Sequence, residues 1–84
     1  MKQNDTLHAT IVSPERTLFD ATVDSVLVPG ELGQFEVLVH HAPIISSLTA
    51  GEVVCRGVED FSLSIQSGFI EVKDNVVTLC VEVA

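Results

Sequence analysis

Tryptophan and tyrosine are absent from this 84-residue sequence, and lysine and arginine together occur only four times. Against these stand 12 Asp and Glu residues, which give a formal net charge of −8. Such a chain repels phosphate backbones and anionic lipid headgroups, so binding to nucleic acids and to membrane surfaces is disfavoured. A basic protein partner fits better, because complementary charge speeds encounter and suppresses wrong partners.

Long apolar runs are absent as well. No segment approaches the roughly 20 apolar residues of a membrane-spanning helix, and the polar residues 1–6 lack the apolar core of a signal peptide. We therefore expect residues 1–6 to form a loose tail and the protein to be cytoplasmic. Cysteine is scarce, and Cys55 and Cys80 form no C-x-x-C pattern, so we expect two free thiols in a reducing compartment.

The residues that are plentiful are apolar, 46% of the chain, and they recur with a period of two. In residues 61–66, Phe, Leu and Ile alternate with Ser, Ser and Gln, and residues 7–12 and 76–83 alternate in a similar way. This period is typical of strands with one buried face. The pattern predicts one all-β domain over residues 1–84, a sandwich or barrel of eight to ten short strands.

Turn-forming residues separate the apolar segments. Pro14 and the pair Pro29-Gly30 end two strands, Gly68 supplies a further break, and Asp74-Asn75 has the composition of a tight hairpin turn. Residues 43–48 fit either one or two helical turns that begin at Pro43 or an extended strand. The β-branched residues in this segment favour the strand.

Candidate catalytic and metal-binding residues are few. His40 and His41 are neighbours, and on a strand they would point to opposite faces, so they are not expected to bind one metal ion. The segment Gly30–Gly33 lacks the Lys and Ser/Thr of a phosphate-binding loop and is interpreted as a turn. The acidic residues fall on turns or polar strand faces. No cofactor, metal or catalytic site is predicted.

Several short motifs resemble the epsilon subunit of bacterial F-type ATP synthase. VLVPGELGQFEVL (residues 26–38) followed by HAPIISSL (41–48) is similar to the family pattern V-P-G-x-x-G-x-F-G-V-L-P-G-H-A-P-L-I-S-x-L. IVSPE (11–15), SGFIEV (67–72) and NVVTL (75–79) resemble further motifs in the same order. The resemblance covers residues 7–84. It differs at Glu36, where Gly is usual, and at Val39-His40, where Pro-Gly is usual.

The resemblance implies a non-catalytic rotor subunit of the proton-translocating enzyme. In the family this β-domain is a flattened antiparallel β-sandwich or barrel of about ten short strands. It lies at the foot of the central stalk, between the gamma subunit and the ring of c subunits, on the cytoplasmic face of the bacterial plasma membrane. The mixed face of the last strand and the segment after Pro14 are candidates for the gamma contact. The resemblance places the c-ring contact on the residues Gly33, Gln34, Phe35, His41, Ala42 and Pro43.

Two features of the resemblance leave alternatives open. Phe35 is either an exposed interface anchor or the start of a strand whose ring packs inward. Most bacterial members carry a pair of C-terminal helices after the β-domain. This sequence ends before them, so a short form without the helical, hydrolysis-inhibiting part is expected.

Two other function classes compete with this interpretation. Lipoyl and biotinyl carrier domains are all-β, acidic and of similar size, and Lys73 lies at a predicted hairpin tip where such a group would be attached. The usual D-K-A or M-K-M motif of carrier domains is absent, which argues against this class. A small enzyme is the third class, and no catalytic constellation supports it.

Overall fold

The computed structural model describes residues 5–84, and this part of the chain contains eight strands and no helix. The expected tail falls mostly outside the described residues, since only Asp5 and Thr6 of it are included. The strands are β1 (Leu7–Val12), β2 (Thr17–Val23), β3 (Ser25–Gly30), β4 (Gly33–Val37), β5 (Ile44–Leu48), β6 (Gly51–Arg56), β7 (Phe61–Lys73) and β8 (Val76–Val83).

All eight described strands belong to one hydrogen-bonded sheet with the order β2-β1-β8-β7-β5-β3-β4, and β6 pairs with both β3 and β7. The prediction of an all-β fold is confirmed, and residues 44–48 are the expected strand rather than a helix. The strand count of about ten is approximate. The 13-residue β7 runs through Gly68, which had been expected to break it.

β7 divides the sheet into two layers. Its first half pairs with β6, from Cys55 opposite Phe61 to Gly51 opposite Ile65. Its second half pairs with β5, from Leu48 opposite Gly68 to Ile44 opposite Val72. We call β5, the second half of β7, β8, β1 and β2 the first layer, and β4, β3, β6 and the first half of β7 the second layer.

A register shift on β7 between Ile65 and Ser67 marks the passage from one layer to the other. Gly68 follows directly, and a β-carbon there would lie 2.5 Å from the Cys80 carbonyl oxygen. Glycine is therefore needed at this point for close approach of the backbones of β7 and β8. β1 and β8 pair in parallel, with His8 opposite Val76, whereas the other strand pairs of residues 5–84 are antiparallel.

The core lies between the layers and consists of alternate residues from each strand. On β8 the side chains of Val77, Leu79 and Val81 are buried, as the period of two predicts. The largest side chains that are almost fully buried are Leu7, Ile11, Ile65, Ile70 and Leu79. Small β-branched residues fill the rest, so the core needs neither tryptophan nor tyrosine.

Asp74 and Asn75 form the predicted tight turn between β7 and β8. Their φ angles are +52° and +64°, the left-handed pair of a two-residue hairpin turn. Asn and Asp adopt this region more readily than other residues with a β-carbon. The turn fixes the register in which Lys73 faces Val76.

Candidate partner-binding surfaces

The β3–β4 hairpin ends in an exposed tip at Glu31 and Leu32. Gly30 pairs with Gly33 across this turn, and Gly33 has a φ of +128°, which favours glycine. Leu32 is fully exposed and makes the tip apolar at its end, beside an exposed carboxylate. Sequence reasoning missed Leu32, although a leucine inside a two-residue hairpin turn has few neighbours that can cover it.

Phe35 lies on β4, and its ring packs against the edge of the core. A β-carbon on Gly30 would be 2.9 Å from the Phe35 ring, so the ring covers the backbone of the neighbouring strand. The ring is half-buried. Of the two alternatives for Phe35, the one in which its ring packs inward describes this arrangement. The exposed apolar side chain at the tip of the hairpin is that of Leu32.

His40 and His41 lie in the loop 38–43, between β4 and β5, and not on a strand as assumed above. His40 has a φ of +68°, at the position where the family pattern has glycine, and its ring nitrogen Nε2 lies 3.3 Å from the Asp5 carboxylate. The His41 backbone amide donates to the Leu38 carbonyl at 3.1 Å. Ala42 and Pro43 are exposed at the end of this loop.

The six residues predicted for the c-ring contact form two groups, which lie near opposite ends of β5. Gly33 pairs with Gly30, which lies opposite Leu48 at the end of β5. Pro43 instead precedes Ile44, which begins β5. Because a strand rises about 3.3 Å per residue, the two ends of β5 are roughly 13 Å apart. Gly33 and Gln34 thus belong with the hairpin tip, and His41, Ala42 and Pro43 belong with the loop.

The outer face of the first layer carries a strip of exposed apolar side chains. Phe69 on β7 lies opposite Cys80 on β8, and Cys80 lies opposite Val12 on β1. Phe69 is 53% exposed, and Ile45 on β5 is 77% exposed. We call Val12, Ile45, Phe69 and Cys80 the apolar strip. It supplies apolar surface that a folded partner can bury.

A groove of about 570 Å³ lies at the Val12, Phe69 and Cys80 part of this strip. Its walls also include Pro14 and Glu82. The mixed face of the last strand, one candidate for a partner contact, therefore lines this groove, whereas the other candidate, the segment after Pro14, does not. Glu82 gives this surface a negative edge.

The outer face of the second layer is mostly polar. Glu52 faces Ser64 and Val54 faces Ser62 on β6 and β7, while Glu36 faces Leu27 on β4 and β3. Leu27 and Val54 are only partly exposed, and the residues around them are exposed and polar. The outer face of the first layer is polar in part as well, since Glu71 lies opposite both Ile45 and Thr78, but the exposed side chains of Ile45 and Phe69 favour it as the side on which a partner packs.

Ionisable side chains are dispersed over the described residues. No three His, Cys, Asp or Glu residues within residues 5–84 come together as metal ligands do. His8 and Asp20 form an exposed pair on β1 and β2. Both cysteines are free thiols, as expected, and burial raises the pKa of Cys55 to about 11.

Residues 5–84 include no helix of the length and hydropathy that crossing a bilayer requires.

Comparison with known sequences identifies the family. The family model described as ATP synthase, Delta/Epsilon chain, beta-sandwich domain matches residues 6–84. The ATP synthase epsilon chain of Leptospira borgpetersenii is 42% identical over 74 residues, which cover 87% of this chain and 58% of that protein. The epsilon chain of Dehalococcoides mccartyi is 44% identical over 75 residues, with 87% and 54% covered. The chain thus spans little more than half the length of these curated relatives.

Comparison with solved structures shows the same fold. A chain in the mitochondrial ATP synthase of Euglena gracilis superposes with a TM-score of 0.86 at 19% identity, covering 96% of this chain and 53% of that one. A chain in the Tetrahymena thermophila mitochondrial central stalk and c-ring gives 0.81 at 13% identity, covering 98% and 66%. With the sandwich formed by residues 5–84 and the family model matched over residues 6–84, the chain belongs to the delta/epsilon family of ATP synthase chains.

Proposed function

We propose that this protein is a non-catalytic subunit of the central stalk of a proton-translocating F-type ATP synthase. It connects the gamma subunit to the ring of c subunits and acts on the cytoplasmic face of the bacterial plasma membrane. The names of the relatives, epsilon chains of ATP synthase, support this assignment. So do the assemblies in which the similar folds occur, a central stalk and c-ring among them.

The observation that carries the proposal is the exposure of two large apolar side chains, Ile45 and Phe69, on the outer face of the first layer. The apolar strip on the first layer is suited to a lasting protein contact, and we assign it to the gamma subunit. The loop residues His41, Ala42 and Pro43 extend this surface past Ile45, because Pro43 and Ile45 line one further hollow with Lys73. A rotor subunit needs a long-lived contact with its partner and a stiff body. A sandwich packed around a dense core supplies the stiffness.

The hairpin tip is the second contact in the proposal. Glu31, Leu32, Gly33 and Gln34 project from the β3–β4 turn, and we assign them to the polar loops of the c-ring. An acidic group beside an exposed leucine suits a loop that carries a basic residue. This divides five of the six residues of the sequence prediction between two partners, and the sixth, Phe35, packs against the core.

The carrier-module alternative has no support from the family assignment. Lys73 ends β7 directly before the Asp74-Asn75 turn, and the chain matches the ATP synthase family through this region. The names of the relatives, chains of ATP synthase, support a role in which the protein has no catalytic site of its own.

Binding to the gamma subunit tests the proposal. Phe69→Ser and Ile45→Ser together are expected to weaken binding at least tenfold, since each buried apolar side chain contributes about 1.5–3 kcal/mol. Val58→Ser is the matched control, because Val58 is equally apolar and fully exposed but lies in the 57–60 loop away from the strip. Wild-type protein that elutes separately from gamma at micromolar concentration would contradict the proposal.

A further inference from the structure

The loop 38–43 is joined to the distant β7–β8 turn through the side chain of Asn75. The His40 backbone amide donates a hydrogen bond to Asn75 Oδ1, with an N–O distance of 2.6 Å. Asn75 itself is buried, with 7% of its surface exposed. Its backbone carbonyl accepts a further bond from the His8 amide at 2.9 Å. Asn75 thus contacts the loop and β1 from within a turn.

The bond stabilises a conformation that His40 does not favour by itself. At a φ of +68° the β-carbon of a histidine is crowded by its own backbone, and non-glycine residues adopt this region uncommonly, although His does so more often than most. The Asn75 amide oxygen accepts the His40 amide in this conformation. The Asn75 side chain therefore favours one backbone conformation of the loop over the others that an exposed loop can adopt.

The path of the loop sets the position of Pro43, at one end of the apolar strip. Pro43 precedes β5, whose Ile45 belongs to the strip, so a change in the loop moves the rim of the partner surface. Fixing such a rim before binding removes part of the ordering cost of association.

We propose that Asn75 is a positioning residue for partner binding, whose amide oxygen holds loop 38–43 in the conformation that the gamma subunit recognises. The inference rests on the proposed function, because it takes gamma as the partner of the strip. Asn75 itself is buried and contributes through the loop.

Three substitutions separate positioning from folding. Asn75→Gly removes the amide oxygen and leaves Asp-Gly, a favoured sequence for this type of turn, so the hairpin is expected to form. Asn75→Asp keeps an acceptor oxygen and a residue that tolerates positive φ. Asp74→Gly is the matched control, because it changes the other left-handed residue of the same turn and leaves the bond to His40 in place.

Two measurements are made on each variant. Hydrogen exchange reports how well the His40 amide is protected, and titration with purified gamma subunit reports affinity. We expect Asn75→Gly to speed exchange at His40 and to weaken gamma binding, each about tenfold, as loss of one buried hydrogen bond predicts. Asn75→Asp and Asp74→Gly are expected to stay within about threefold of wild type, since both retain the acceptor.

The outcomes distinguish this inference from the proposed function. If wild-type protein does not bind gamma, the proposed function fails, and the exchange rate at His40 still decides whether Asn75 holds the loop. If wild type binds and Asn75→Gly binds equally well, the positioning role is overturned. Equal losses in Asn75→Gly and Asp74→Gly would also overturn it, because the turn as a whole would then be responsible.

Discussion

Phe19 of β2 stacks on Phe61 of β7, with ring centroids 4.7 Å apart and an angle of 21° between the ring planes. Both rings pack against the edge of the core, and they join the last strand of the first layer to the start of the second. The pair thus packs β2 at the edge of the first layer against the start of β7 in the second.

The stacked pair is expected to contribute an interaction energy of its own. Phe19→Ala and Phe61→Ala should each lower the free energy of unfolding by about 1–3 kcal/mol, less than a fully buried phenylalanine because both rings are half-exposed. A double-mutant cycle from denaturant unfolding should give a coupling of about 0.5–1.5 kcal/mol. The control cycle pairs Phe19 with Phe69 on the outer face and should show additive effects. Additivity for Phe19 and Phe61 as well would contradict the prediction.

Burial of Cys55 predicts a loss of stability at alkaline pH. Its pKa is about 11 in the folded protein, above the ordinary value of 9.0, because burial disfavours the thiolate. The unfolded chain therefore loses this proton first, and the free energy of unfolding should fall as pH rises from 9 to 11, by on the order of 2 kcal/mol. Denaturant unfolding at pH 8, 9, 10 and 11 measures the slope.

The Cys55→Ala variant should show a shallower fall over the same pH range, whatever its stability at pH 8. Cys80→Ala is the control and should retain the wild-type slope. A Cys55→Ala variant with the wild-type slope would assign the alkaline loss to other groups.

Any side chain at Gly68 should destabilise the fold. An alanine β-carbon there would lie 2.5 Å from the Cys80 carbonyl oxygen and 3.1 Å from the Val81 α-carbon, both of them backbone atoms of β8. Gly68→Ala should lower the free energy of unfolding by about 1–3 kcal/mol, measured by thermal or denaturant unfolding. Gly57→Ala, whose nearest neighbour atom is 3.3 Å away, should cost less. Equal losses at both positions would contradict the reasoning.

Leu32 offers a test of the hairpin tip that leaves the fold intact. Because Leu32 is fully exposed, Leu32→Ser should change the free energy of unfolding by less than about 0.5 kcal/mol. Under the proposed function it should nevertheless weaken attachment to a complex of gamma and the c-ring several-fold, by about 1–2 kcal/mol, since the leucine is buried there. Val58→Ser is again the control. Sedimentation or pull-down with the purified complex measures retention, and unchanged retention of Leu32→Ser would remove the tip from the contact.

Local features of the fold were predictable from the sequence because they depend on neighbouring residues. The alternation in residues 76–83 predicted which side chains of β8 are buried, and Asp74-Asn75 predicted the turn before it. Gly68 was misinterpreted as a break, because glycine also marks a place where two backbones approach closely.

Features that depend on distant residues were not predictable in the same way. Nothing in residues 7–12 or 76–83 indicates that β1 and β8 pair in parallel, since the pairing joins opposite ends of the chain. The exposure of Leu32 and the partial burial of Phe35 depend on how the β3–β4 hairpin packs against the core. The family resemblance grouped residues 33–35 with residues 41–43 as one contact, and the register along β5 separates the two sets in space.

The passage of β7 through both layers has a mechanical consequence. The covalent backbone of one strand links the groove side to the second layer, while the hydrogen-bonded partner of β7 changes from β6 to β5 around the register shift between Ile65 and Ser67. Under the proposed function, a twisting load would cross between the layers through this short stretch of β7. Its stiffness would then set how closely the second layer follows a rotation of the first.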